Sequence, residues 1–280
     1  MRAFFENRVH NSNNPVETNY AKDFNFLAHW HIDMELVYVC EGQIRIGINK
    51  ECRTLQSGEF AIFSSKDIHY YDSKDIHSSI IIIIFNPEII RIQGGLPENL
   101  QLVTPFIDRK MFNEIGVSVQ ESIQNIIYSI ARESEDKIKF YDLLIKSKIL
   151  ELFATLYRYL PTYSVDLSKE NLRLPDMEMM QVALQYLENN FMDNITLNDI
   201  AGRVNFSPSY FSRLFKKTSG MNFKMYLNSI RIDKAKSMLS YTSRTIAEIA
   251  FESGFNSIRT FNREFKTIKG CTPSDFRKQK

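Results

Sequence analysis

Apolar positions along this chain change their period once. Between about Asp23 and Phe85 they fall in short runs, Glu35–Cys40, Gln43–Ile48, Phe60–Phe63 and Ser78–Phe85, separated by Glu41-Gly42, Asn49-Lys50 and Ser57-Gly58. Short β-prone runs broken by Gly, Asn and Ser predict antiparallel strands in a barrel or sandwich. In Gln43–Ile48 the apolar residues alternate with polar or small ones, so one face points to a core. Ile80–Phe85 is apolar throughout, too short to span a bilayer and rich in isoleucine, which reads as a buried strand. From Gly116 onward the period becomes helical. Ile123, Ile126, Ile127 and Ile130 mark one amphipathic helix, and Ile145, Ile149, Leu152, Phe153, Leu156 and Leu160 mark a second. The second stripe suits either packing on the strands or a dimer seam. Pro161–Pro175 has no apolar period and reads as a linker, and everything after it reads as helix.

The helical part contains a repeat of about fifty residues. TLNDIAGRVNFSPSYFSRLFKKTSG from Thr196 aligns with TIAEIAFESGFNSIRTFNREFKTIKG from Thr245, with one extra residue before Phe261. Each copy begins with a threonine followed three residues later by an acid (Thr196/Asp199, Thr245/Glu248), the pattern of a capped helix start. Ile200-Ala201 and Ile249-Ala250 sit where two helices meet, and alanine permits close approach. Asn205 and Gly254 supply residue types that tolerate positive φ at a tight turn. Phe206 and Phe255 follow as core anchors, and Ser207-Pro208 and Asn256-Ser257 offer cap chemistry for a new helix. These features predict two helix-turn-helix units.

On each second helix, phenylalanines four apart (Phe211/Phe215, Phe261/Phe265) mark the buried face. The opposite face carries Ser209, Ser212 and Arg213 in the first copy and Ile258, Arg259, Asn262 and Arg263 in the second, candidates to touch base edges. Lys216, Lys217 and Lys266 lie later in the helices and are candidates for phosphate. A long helix over Phe223–Leu239 would hold the units apart, as needed for successive major grooves about 34 Å apart.

Charge supports this division. The chain of 280 residues carries +2 overall, but residues 1–175 hold 19 Lys+Arg against 23 Asp+Glu and residues 176–280 hold 16 against 10. The basic part suits a polyanion. Three cysteines (Cys40, Cys52, Cys271) without metal-ligand spacing argue against a disulfide framework. The first residues, MRAFFENR, lack the pattern of a signal peptide, so a cytoplasmic protein without membrane association is expected.

The stretches Ile246–Ser257 (IAEIAFESGFNS), Phe261–Lys266 (FNREFK) and Gly270–Arg277 (GCTPSDFR) resemble the C-terminal signature of the AraC/XylS transcription regulators. The resemblance covers roughly 100 residues and implies the same base-reading positions named above. The small Ser209 and Ser212 depart from relatives that carry larger side chains there, so the first unit would rely mainly on Arg213. The resemblance further implies a cupin-like N-terminal module for effector binding and dimerisation. His29-Trp30-His31, Glu35, Gly42 and His69 are similar to the cupin spacing, and residues two apart on a strand share a side. His29, His31, Glu35 and His69 are therefore effector-pocket candidates, with Trp30 on the opposite side. The same four suit a divalent transition metal, an alternative that stays open.

The expected fold is α+β in two domains: a cupin-like antiparallel barrel with an N-terminal arm (1–115), two helices packing on it (116–160), a linker (161–175), and an all-α domain of about seven helices (176–280). The expected protein is a non-enzymatic homodimeric regulator of double-stranded DNA. It would answer to a small-molecule effector, with a carbohydrate as candidate, and would contact RNA polymerase if it activates. The alternative is a metal-dependent cupin enzyme fused to a DNA-binding tail. A third reading is a barrel that only dimerises.

Overall fold

The central strands of this protein carry apolar residues on both faces, and the reason is visible in the layers around them. The structure, a computed structural model, describes residues 16–90, 100–164 and 175–278; the expected N-terminal arm and linker residues 165–174 lie outside them. Contacts divide the chain into two compact units, one carrying most of the sheet and the other residues 176–280 together with Leu27–His29.

The N-terminal part of the chain begins with β1 (Val16–Lys22), β2 (Phe26–His29), β3 (Met34–Ile48), β4 (Glu51–Gln56), β5 (Phe60–Phe63), β6 (His69–Asp72) and β7 (Ser78–Phe85) in sequence. β8 (Leu100–Leu102), β9 (Phe106–Ile107), α1 (Arg109–Ile115), α2 (Val117–Asp136), α3 (Tyr141–Tyr159) and β10 (Thr162–Ser164) complete it. Eight strands form one antiparallel sheet with the path β1-β7-β3-β5-β9; β4 and β6 pair with β3, and β2 pairs with β6. The pairings among the described residues do not close this sheet into the expected barrel. β10 pairs with β8, so the first residues of the expected linker are a strand.

The Glu41-Gly42 step, expected to separate two strands, lies inside one fifteen-residue strand. The register against β7 shifts between Val39 and Glu41, and Gly42 has φ +70°. One extra residue resets the side-chain parity. Val37 and Val39 before it and Ile44, Ile46 and Ile48 after it then face one core, shared with Phe63, Tyr71, Ile80, Ile82 and Ile84. A side chain at Gly42 would place its Cβ 2.1 Å from the His77 carbonyl oxygen, so glycine is required.

Alternate residues of β7 point the other way: Ile81, Ile83 and Phe85 join Leu36 and Tyr38 in a second core, covered by α2 and α3. This explains the unbroken isoleucine run. The predicted stripes Ile123, Ile126, Ile127, Ile130 and Ile145, Ile149, Leu152, Phe153, Leu156 are all buried in that core. Of the two uses open to the α3 stripe, packing on the strands is the one realised, and its residues are not available as a dimer seam.

The second unit contains seven helices among the described residues: α4 (Pro175–Asn189), α5 (Leu197–Arg203), α6 (Pro208–Ser219), α7 (Phe223–Tyr241), α8 (Ile246–Glu252), α9 (Ile258–Lys269) and α10 (Pro273–Lys278). Ile232, Ala235 and Leu239 of α7 form a core with Ile249, Ala250, Phe255, Phe261 and Phe265. No helix among the described residues is long and apolar enough to cross a membrane.

Candidate nucleic-acid interface and a buried polar cluster

Both repeat copies fold as the sequence predicts, except that Phe206, expected as a core anchor, is only half buried where Phe255 is buried. Thr196 accepts a hydrogen bond from the Asp199 amide while the Asp199 carboxylate accepts one from the Thr196 amide, and Thr245 and Glu248 form the same reciprocal cap. Ile200, Ala201, Ile249 and Ala250 are fully buried. The turns use positive φ at Asn205 (+57°) and Gly254 (+87°). Phe206 and Phe255 close each turn by donating their amides to the carbonyls of Ala201 and Ala250.

The second helices start on serine caps, Ser207 for α6 and Ser257 for α9, each four residues before a buried phenylalanine, Phe211 or Phe261. The extra residue of the second copy is therefore Asn256, in the turn, and the helices match residue for residue from their caps. Ser209 stands opposite Arg259, Ser212 opposite Asn262, Arg213 opposite Arg263, and Lys216 opposite Lys266. All seven candidate base-contacting residues are exposed, as are Lys216, Lys217 and Lys266. Arg263 forms a surface ion pair with the adjacent Glu264 at 2.8 Å, a contact easily exchanged for another acceptor.

Arg231 of α7 escaped the sequence reading. Its Nε and Nη2 donate at 2.8 Å to the carbonyls of Phe191 and Asp193, in the segment leading into the first helix-turn-helix copy, and its guanidinium lies 5.7 Å from the Phe255 ring of the second copy. It sits midway along the helix between the copies, which is the one signal that marks it. Lys269 of α9 pairs with Asp233 of α7 at 2.6 Å, fixing the far end of the second unit to the same helix.

His29, His31, Glu35 and His69 converge, as the strand parity predicts. All four are buried, and one donor atom from each lies within 4.8 Å of the others. Trp30, between the two histidines, is only half buried. Every one of the three rings is oriented by the same device: Nδ1 lies 2.9 to 3.0 Å from a backbone carbonyl two residues away, that of Leu27, Asp33 or Asp67. Because a carbonyl only accepts, each Nδ1 is a donor. His31 Nε2 lies 2.9 Å and His69 Nε2 3.5 Å from Glu35 Oε2. Tyr71 donates its hydroxyl to Glu35 Oε1 in a short hydrogen bond. Burial alone would raise the Glu35 pKa, but hydrogen bonds and charge from His31 and His69 outweigh it and hold the carboxyl well below its usual range. Tyr71 was not singled out from the sequence, although it stands two residues after His69 and so on the same side of β6.

Two family descriptions match the chain: "AraC-like ligand binding domain" over residues 16–153 and "Helix-turn-helix domain" over residues 200–279. The chain belongs to the AraC family of helix-turn-helix transcription regulators. Family membership sets aside the reading of the N-terminal unit as an enzyme. Among relatives of this AraC-family chain, an uncharacterized HTH-type transcriptional regulator of Staphylococcus aureus strain MSSA476 is 27% identical over 228 residues, 75% of this chain and 30% of that protein. The HTH-type regulator YtdP of Bacillus subtilis is 35% identical over 97 residues, 35% of this chain and 13% of YtdP. The chain thus spans about a third or less of the length of these relatives. Among solved structures, the C-terminal domain of the response regulator yesN from Fusobacterium nucleatum is 31% identical, covering 36% of this chain and 98% of that one, with a TM-score of 0.35.

Proposed function

We propose that this AraC-family chain binds double-stranded DNA in a sequence-specific way through α6 and α9, and that a small molecule held by the N-terminal unit alters that binding. The observation that carries the reading is the pair of capped helices in matching register with their Arg, Asn, Ser and Lys side chains exposed. Base edges are read by Arg213 in the first unit and by Ile258, Arg259, Asn262 and Arg263 in the second, with Ser209 and Ser212 contributing short-range contacts. Lys216, Lys217 and Lys266 hold phosphates. The excess of cations in residues 176–280 steers the encounter.

The effector is a small organic molecule, with a carbohydrate as the first class to screen, and it acts by binding two states of the protein unequally. The regulator works in the cytoplasm, as a homodimer, and contacts RNA polymerase where it activates. With the α3 stripe buried in the sheet unit, the dimer seam falls to the exposed Ile138, Phe140, Leu143 and Leu144 around the turn from α2 into α3.

Selection of DNA sequences from a random pool by the full chain tests the reading. The expected result is a site with two separated elements, bound more weakly as salt rises. Lys216→Ala should weaken all sequences alike and lower the salt slope by about 1. Binding that ignores sequence, or that is unchanged when Arg213 and Arg263 are both replaced by alanine, would overturn the assignment.

A further inference from the structure

A cavity of about 440 Å³ lies within the first helix-turn-helix copy, between the start of α5, Ser212 of α6 and the first turns of α7. That is room for a small organic ligand. Its wall is apolar at Ile195, Leu197, Phe223 and Leu227, and its charged members are Lys224 and Arg231, with no acid among the lining residues. Arg231 commits Nε and Nη2 to backbone carbonyls and pairs with no carboxylate among the described residues, so its charge is left to be balanced. Asn228 lines the same space. Its side chain is buried, 7% exposed, yet makes no hydrogen bond among the described residues, an uncommon state for a buried amide and one that a ligand relieves. The positive end of α7 adds to the field through Asn222 and Phe223. The second copy is built otherwise. Counted from the C-caps Gly220 and Gly270, Lys224 corresponds to Ser274 and Met225 to Asp275, whose carboxylate accepts from the Thr272 hydroxyl at the helix start. An acid thus stands where the first copy is cationic.

From this lining we propose that the first copy binds a small phosphate monoester with an apolar body, and that the bound ester competes with DNA. The cations Lys224 and Arg231 match the charge of a monoester near neutral pH, about −1.5 to −2, and together with the Asn228 amide they hold the phosphate. The apolar side chains of the wall take the body of the ligand. Ser212 is both part of that wall and a candidate base contact, so an occupied cavity sets a negative group beside the approaching DNA backbone. The competition rests on the DNA-binding reading; the site itself does not.

The test uses the full chain and phenyl phosphate, with inorganic phosphate and phenol as its two halves. Calorimetry without DNA should give one site per chain for phenyl phosphate and weaker binding of either half. Lys224→Ala should weaken the ester about tenfold, and Asn228→Asp, which keeps the side-chain shape and adds a negative charge, should weaken it further. Lys236→Ala, which removes an exposed cation of α7 outside the cavity, should leave ester binding unchanged. In a mobility-shift series with a duplex that the chain selects, phenyl phosphate should release the duplex from the unaltered chain and not from Asn228→Asp. Circular dichroism establishes whether Asn228→Asp folds, and the exposed Lys224 keeps the test decisive if it does not. The site is overturned by the absence of saturable ester binding, or by full binding in Lys224→Ala. Ester binding that leaves the duplex in place overturns the competition. Weakened duplex binding in Lys224→Ala, with no ester bound by the unaltered chain, would assign the cavity to a backbone phosphate and overturn the proposal as well. A chain that binds the ester but no duplex would keep the site and refute the regulator reading and the competition with it, so the two fail separately.

Discussion

The two helix-turn-helix copies share their caps, their buried Ile-Ala step and their paired phenylalanines, and they part company at the turn. In the first copy the positive-φ residue is Asn205, exposed to solvent; in the second it is Gly254, buried. A Cβ at Gly254 would lie 2.7 Å from the Phe191 carbonyl oxygen, 2.9 Å from Met192 Cα and 3.0 Å from Arg231 Nε. The first turn thus needs only a backbone conformation, whereas the second also needs the space. The second turn presses on the segment that leads into the first copy, and Arg231 of α7 lies at that junction. The reading faces differ as well. Position for position from the caps, the second helix offers Arg259, Asn262 and Arg263 where the first offers Ser209, Ser212 and Arg213, so the second half of a bound site should hold more information.

Core truncation measures how alike the copies are. Phe215 and Phe265 are both fully buried among aromatic neighbours, and alanine at either should cost about 3–5 kcal/mol in urea unfolding of the full chain. A much smaller loss at one would show that its copy contributes little to the shared fold. The turns should then separate them. Gly254→Ala, strained in φ and crowded by backbone, should cost about 2–4 kcal/mol. Asn205→Ala should cost only about 1 kcal/mol, and equal losses would remove the distinction drawn above.

On the reading faces, Arg263→Ala should lose about 1–3 kcal/mol of discrimination at one base, measured by competition between operator variants. Arg213→Ala should abolish most of the preference in the first half-site, since the serines beside it have less reach. Equal information in both half-sites would break the asymmetry.

The caps should behave alike. Thr196→Ala and Thr245→Ala should each cost about 1 kcal/mol. The hydroxyl and amide of Thr196 lower the Asp199 pKa, and the amide and hydroxyl of Thr245 lower that of Glu248. Folded values below unfolded ones mean that this contribution is complete above the unfolded pKa, about 4, and fades as pH falls through the lower folded value. In a pH titration of stability, replacing Glu248 by Gln should flatten this acid limb, with the smallest effect of the series.

Much of the helical unit was legible because its signals are local. A threonine and an acid three apart, a residue suited to positive φ, and phenylalanines four apart each specify structure within one or two turns of chain. The sheet was harder to read. β4 is exposed except at Leu55, so its pattern carries little hydrophobic signal. Gly42 reads as a strand end because glycine punctuates turns and bulges alike, and only the His77 carbonyl facing it decides between them. The histidine cluster was legible from strand parity, since His29 and His31 share a side. Its carbonyl anchors and the hydroxyl of Tyr71 depend on how β2, β3 and β6 come together, which no local pattern encodes.

If α6 and α9 read bases as proposed, Arg231, bonded to the approach to one helix-turn-helix copy and packed against the turn of the other, would move the burden of adjustment onto the nucleic acid. Two copies held in this way would accept one separation and one mutual angle, and a duplex that does not present them would have to twist or bend to comply. Bending a site of 20–30 base pairs by 40–90° costs of order 1–6 kcal/mol and depends on the steps being deformed. The base pairs between the two half-sites, touched by no side chain, would then be selected for mechanical softness, with pyrimidine–purine steps favoured where the helix axis has to turn.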